Sequence, residues 1–238
     1  MMASIPWTMV ALAWAAGLCM PLGGVIAQLE RSHESHVKRS WLAGITALGG
    51  GILLAAVSLV LVPHAMQALS IAALLGLFLL GALIFMQLDR WLARGGGAKG
   101  QLLAMLMDFI PEAIALGALA SASPAAAMLL ALFIAVQNLP EGFNAYRELE
   151  GAGLTARQGL GAFVLLSLLG PLAALAGHLW LADAPSVLGG LMAFAAGGIL
   201  YLVFQDIAPQ SRVAHHWSPP LGASLGFMIG MLGDRLVG

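Results

Sequence analysis

Charge is scarce in this chain: only 9% of its 238 residues are Asp, Glu, Lys or Arg, where a soluble domain carries roughly 25%. With 61% of the residues hydrophobic, a soluble globular protein is excluded. Ten basic and eleven acidic residues nearly cancel, which leaves neither a basic face for nucleic acid nor an acidic tail. The single cysteine, Cys19, cannot form an intrachain disulfide or a Cys-based metal cluster, and Leu18 stands where a lipoprotein cleavage site wants a small residue. Cys19 is therefore expected to be a packing residue. No Lys or Arg precedes Arg31, so the first apolar segment lacks the positive n-region of a signal peptide and is expected to stay in the mature chain.

What the sequence has instead is long apolar runs. A spanning helix needs about 20 such residues, and eight stretches qualify, at 5–27, 41–63, 69–88, 101–121, 125–146, 159–181, 186–208 and 219–237. The expected fold is an all-α integral membrane protein of eight transmembrane helices, one domain over residues 1–238 with nothing left for a soluble one.

The basic residues set its orientation. Arg31, Lys38 and Arg39 follow the first span, Arg90, Arg94 and Lys99 the third, Arg147 and Arg157 the fifth, and Arg212 the seventh. Nine of the ten basic residues thus fall on one side, and only Arg235 on the other. By the positive-inside rule both termini face away from the cytoplasm, in an inner (cytoplasmic) membrane. Trp7, Trp14, Trp41, Trp91, Trp180 and Trp217 mostly fall near predicted interfaces, as membrane anchors do.

Apart from Asp234 at the tip of the last, four of the eleven acids then lie inside spans: Asp108, Glu112, Glu141 and, near the cytoplasmic end, Asp206. An ionised side chain at mid-membrane costs about 2.5–3.5 kcal/mol even on the lenient insertion scale. No Lys or Arg lies inside the spans that hold them, so protons, water or a bound cation must compensate. Asp108 and Glu112 are four apart, as are Gln137 and Glu141, so each pair projects from one helix face. Pro111 and Pro140 precede the two glutamates and free the carbonyls of Met107 and Val136, which predicts interrupted helices beside a cavity. The segments Asp108-Phe-Ile-Pro-Glu112 and Gln137-Asn-Leu-Pro-Glu141 are near-repeats, joined by a tight turn at 121–124 that makes their helices antiparallel neighbours. Asp108, Glu112, Gln137 and Glu141 are then positioned to converge as oxygen ligands on one divalent cation.

These paired segments resemble those of the ZIP family of divalent metal transporters, which carry His-Asn-x-Pro-Glu-Gly or close variants on the fourth and fifth of eight spans. Met20-Pro-Leu-Gly-Gly24 and Phe194-Ala-Ala-Gly-Gly198, with Tyr201 and Asp206-Ile-Ala-Pro209, extend the resemblance to the first and seventh spans. It implies a bundle in which spans one to three and six to eight are inverted repeats around four and five. It further implies inward movement of a divalent cation (Zn²⁺, Mn²⁺, Fe²⁺ or Cd²⁺) by alternating access, with the metal as substrate and no cofactor. The implied transport-site ligands are Asp108, Glu112, Gln137 and Glu141, with Asn138 and Asp206 along the pathway. Asp108 replaces the family's usual His, which hardens the site and leaves the metal open. Phe109 cannot ligate and Gly170 stands where a second-site Glu belongs, so a mononuclear site is expected.

Weaker signals remain. His33 and His36 read as solvated loop residues, His215 and His216 likewise, and His64 and His178 as interfacial histidines near the outer face. Gly222, Gly226 and Gly230 form a small-residue stripe, read first as packing within the chain and second as a homodimer interface. Two rival functions stay open: a metal-binding relative that senses without transporting, and an intramembrane hydrolase of lipid diphosphates. The hydrolase lacks a cationic phosphate clamp within the membrane and any Gly-x-Ser-x-Gly elbow, so no enzyme is expected.

Overall fold

The computed structural model describes residues 7–30, 36–95, 98–214 and 216–237. His33, His215 and the side chain of His36 lie outside the described residues. Among the described residues every regular element is helical, and the helices run as eight rods. The first is α1 (Trp7–Leu29). The second joins α2 (His36–Ala55) to α3 (Val62–Ala68) through a π-helical turn at Ala56–Leu61. Then come α4 (Ile71–Gly95), α5 (Ala98–Ala122) and α6 (Pro124–Gly151) as the third to fifth. The sixth comprises α7 (Ala156–Ser167) and α8 (Leu169–Leu181). The seventh joins α9 (Pro185–Leu202) to α10 (Ala208–Gln210) through a second π-helical turn at Val203–Ile207, and the eighth is α11 (Ser218–Val237).

Seven of these rods are long and apolar enough to cross a membrane. Large apolar side chains such as Leu75, Leu79 and Leu83 on α4 and Leu165 and Leu172 on the sixth rod are exposed, a pattern that only a lipid surround makes stable. The chain is a multi-pass membrane protein. The expected eighth span is the helix α11, which falls short of the seven in apolar character. Pro219 and Pro220 open it, four glycines interrupt it, and Asp234 and Arg235 close it.

Local chemistry explains the ends. Pro124 and Pro185 sit at first helical positions, where the missing N–H would have had no partner. α6 ends in a Schellman arrangement, with Leu154 N–H donating to Leu149 O and Gly153 N–H to Glu150 O. Gly153 takes φ 88°, which a side chain would resist. Thr155 then starts α7 with a capping box to Gln158.

The expected interruptions at Pro111 and Pro140 do not occur. α5 and α6 run through both prolines as continuous helix, since one absent N–H and a bend suffice to accommodate a proline. The irregularities fall in other rods: the two π-helical turns and the break at Leu168.

Four close pairings organise the bundle: α1 along α6, α2 along α11, α4 along α9, and α5 along α8, with α5 also flanking α6. Each is a backbone-to-backbone approach made by glycines from both partners. Gly23 of α1 lies against Leu139 O and Gly142 of α6 against Met20 O; Gly51 of α2 lies against Ala223 O and Gly222 and Gly226 of α11 against Gly44 O and Leu48 O. Gly81 and Gly197 make the corresponding approach between α4 and α9, as Gly117 and Gly177 do between α5 and α8. A Cβ at any of these positions would overlap a neighbouring backbone. Small residues at such contacts are how helices associate where no hydrophobic difference from lipid drives them together. The stripe on α11 is therefore used inside the chain.

Candidate metal centre

α5 and α6 are joined at Ser123 and run antiparallel side by side, which brings the two near-repeated segments to a common level. Asp108, Glu112, Gln137 and Asn138 are all buried and Glu141 is half-buried. Gln137 Nε2 donates a 2.7 Å hydrogen bond to Glu112 Oε2. The other oxygens of that pair, Glu112 Oε1 and Gln137 Oε1, are buried with no partner. A buried polar group without a hydrogen bond costs about 1–3 kcal/mol, more when charged, so two together mark a place built to face something polar.

Asp108 Oδ1 accepts the N–H of Phe109 at 2.8 Å. Glu141 lies within electrostatic reach of Asp108, Glu112 and Asp206. Asp206 is in turn within reach of Asp89 and Glu148. Carboxylates thus follow one another from the α5–α6 contact toward the end of the bundle that carries most of the basic residues. They are gathered but not closed on a point: among the described residues no three of His, Cys, Asp and Glu stand close enough to hold one metal ion. Asn138 Nδ2 donates to Ala16 O of α1 at 3.0 Å, so its amide ties α6 to α1.

Phe109, adjacent to Asp108, is almost fully buried between α1 and α8. Its Cζ lies 3.0 Å from where a Cβ on Gly17 would sit and 2.7 Å from where one on Gly170 would sit. The ring therefore fills the space between α1 and α8, and glycines on both rods make room for it.

Two polar features escaped the sequence. Tyr201 Oη donates to Asp89 Oδ2 at 3.1 Å, linking α4 to α9 just before the π-helical turn that carries Asp206. Asp89 reads in sequence as a loop charge because Arg90 follows it, whereas α4 continues to Gly95. His178, expected at an interface, is buried. Its Nδ1 lies 3.5 Å from Ser121 Oγ, and its Nε2 has no partner. The close α5–α8 approach at Gly117 and Gly177 draws it inside. His64, by contrast, is half-buried, with Nδ1 2.8 Å from Val60 O.

No protein-family model matches the chain. It is 30% identical over 138 residues to the zinc transporter GufA of Myxococcus xanthus, an alignment that covers 57% of this chain and 54% of that protein. The chain spans about half the length of the curated relative it matches.

Proposed function

We propose that this protein is a ZIP-type carrier that moves divalent metal cations, zinc or a related ion such as Mn²⁺, Fe²⁺ or Cd²⁺, toward the cytoplasm. Asp108, Glu112, Gln137 and Glu141 supply the transport site, and Asp206 lies on the release path. The observation that carries this reading is the Glu112–Gln137 pair, two buried side chains with one hydrogen bond between them and an unpartnered oxygen on each. A hard or borderline cation is the ligand that oxygen donors at that depth suit. The likeness to a zinc transporter supports the same substrate class.

The pairing of the rods supports alternating access between inverted repeats. Exchanging the first rod with the sixth, second with seventh, third with eighth and fourth with fifth turns the α1–α6 contact into the α8–α5 contact, and α2–α11 into α9–α4. The two π-helical turns, in the second and seventh rods, also exchange with each other. π-Helical turns mark places where a helix is irregular, often at functional sites. Loading requires Asp108 and Glu141 to draw in on the Glu112–Gln137 pair, a local gathering that a carrier cycle supplies.

Uptake of Zn²⁺, Mn²⁺ and Fe²⁺ into proteoliposomes tests the proposal. Saturable uptake that depends on Glu112 and Glu141 is expected. Uptake no faster than in empty liposomes for all three ions refutes it.

A further inference from the structure

At the end of the bundle that the basic residues assign to the cytoplasm, a cleft of about 360 Å³ opens between the second, fifth and seventh rods. Its charge is contributed by residues far apart in sequence: Arg39 in α2, Arg147 and Glu148 near the end of α6, and Arg212 just after α10. Seven of its ten lining residues are polar or charged, and with three arginines to one glutamate a cation is a poor occupant.

The deeper wall is ordered. Asn144 Nδ2 donates to Thr46 Oγ1 at 2.9 Å across the junction of α6 and α2. The Arg147 guanidinium lies 5.9 Å from the centre of the Phe143 ring, a cation–π contact that limits where its fork can point. Gln210 and Arg212 add donors from the other side. Planar guanidinium forks grip oxyanions through paired N–H donors, and arginine is the residue suited to phosphate recognition by that geometry.

From this arrangement we infer that the cleft is a binding site for a phosphate group presented from the cytoplasmic side. The group is either on a soluble phosphate compound or on the headgroup of an anionic lipid, and Arg39, Arg147 and Arg212 hold its oxygens. Anionic leaflets attract such basic juxtamembrane groups. A phosphate bound here clamps three rods together, among them the seventh with its π-helical turn. The cleft also adjoins the carboxylate line, because Glu148 is within electrostatic reach of Asp206. Cancelling the positive charge of the cleft lowers the barrier to a cation leaving past Asp206, a consequence that rests on the transport reading, whereas the binding itself does not.

The test uses the full chain without metal. Binding of inorganic phosphate is measured by calorimetry in phosphatidylcholine nanodiscs, and retention of phosphatidylglycerol is measured separately by native mass spectrometry. Phosphate binding identifies a soluble ligand and phosphatidylglycerol retention a lipid one. In either arm Arg212→Gln is expected to weaken binding at least tenfold, and Arg39→Gln with Arg147→Gln to abolish it. Because Arg212 lies in a surface segment, its single variant also guards against a loss that reflects misfolding of the double. Arg212→Lys, which keeps charge but loses the fork, should fall between wild type and Arg212→Gln. Absence of both phosphate and phosphatidylglycerol binding by the wild type, or equal binding by Arg212→Gln, overturns the assignment whether or not the protein transports metal.

Discussion

Gln137 donates its amide to Glu112 across the α5–α6 contact at 2.7 Å, and the remaining oxygen of each side chain is buried and unpartnered. The pair is thus held in place while keeping an oxygen on each side free to accept. Glu112→Ala with Glu141→Ala is expected to reduce metal uptake into proteoliposomes to the empty-vesicle level while the protein still purifies as a folded monodisperse species. Gln137→Ala should weaken uptake less, because it removes a neutral ligand and leaves the carboxylates in place. Undiminished uptake by the double variant would remove the site from α5 and α6.

In the proposed transport site, Asp108 is the ligand expected to set the metal preference. Its carboxylate is a hard oxygen donor, whereas imidazole suits Zn²⁺ and other borderline ions. Asp108→His is therefore expected to raise the ratio of Zn²⁺ to Mn²⁺ uptake, measured in competition in the same vesicles, by roughly tenfold, the equivalent of about 1.4 kcal/mol in selectivity. An unchanged ratio would mean that Asp108, whose Oδ1 accepts the Phe109 N–H, orders the backbone and does not bind the ion.

Much of this was legible in sequence, because the physics of a membrane interior is unforgiving. Apolar runs of spanning length and uncompensated acids at Asp108, Glu112 and Glu141 leave few alternatives. The rods appeared where the runs lay, but α4 and α6 outrun them to Gly95 and Gly151, since Arg and Glu are good helix formers once clear of the bilayer. Prolines misled by position: Pro111 and Pro140 are accommodated within helices, while the π-helical turns at Ala56–Leu61 and Val203–Ile207 each end two residues before a proline, Pro63 and Pro209. The burial of His178 and the Tyr201–Asp89 bond depend on which glycines let rods approach, a property of pairs of helices that a single apolar pattern does not carry.

Phe109 and Gly170 should be energetically coupled. The ring leaves only 2.7 Å to a Cβ at position 170, and overpacking of this kind costs about 1–3 kcal/mol. Gly170→Ala is expected to destabilise the wild type by that amount, and less in a Phe109→Leu background, where the ring tip is gone but the Ala13 carbonyl, 2.9 Å from the same Cβ, remains. Thermal unfolding of the four proteins in detergent gives the coupling, expected at about 0.5–3 kcal/mol for residues in contact. Additive effects would show that the ring moves aside freely and that the Ala13 carbonyl alone sets the cost.

Topology offers a test in which seven and eight spans give opposite answers. Seven rods are apolar enough to span, and α11 is weaker in composition yet lies along α2 through Gly222 and Gly226. That contact places α11 beside a spanning rod over most of its length. An α11 that crosses with α2 puts its end on the side opposite the loop that carries Arg212. In a Cys19→Ser background, which removes the only native thiol, single cysteines at Gly151, Ala182 and Val237 can be labelled with an impermeant maleimide in intact cells. Position 182, between the sixth and seventh rods, should label from outside. Position 151, beside Arg147, should label only after the membrane is permeabilised. Position 237 should behave like 182 if α11 crosses and like 151 if it does not, because α11 is the last rod and its crossing alone decides the side of its end.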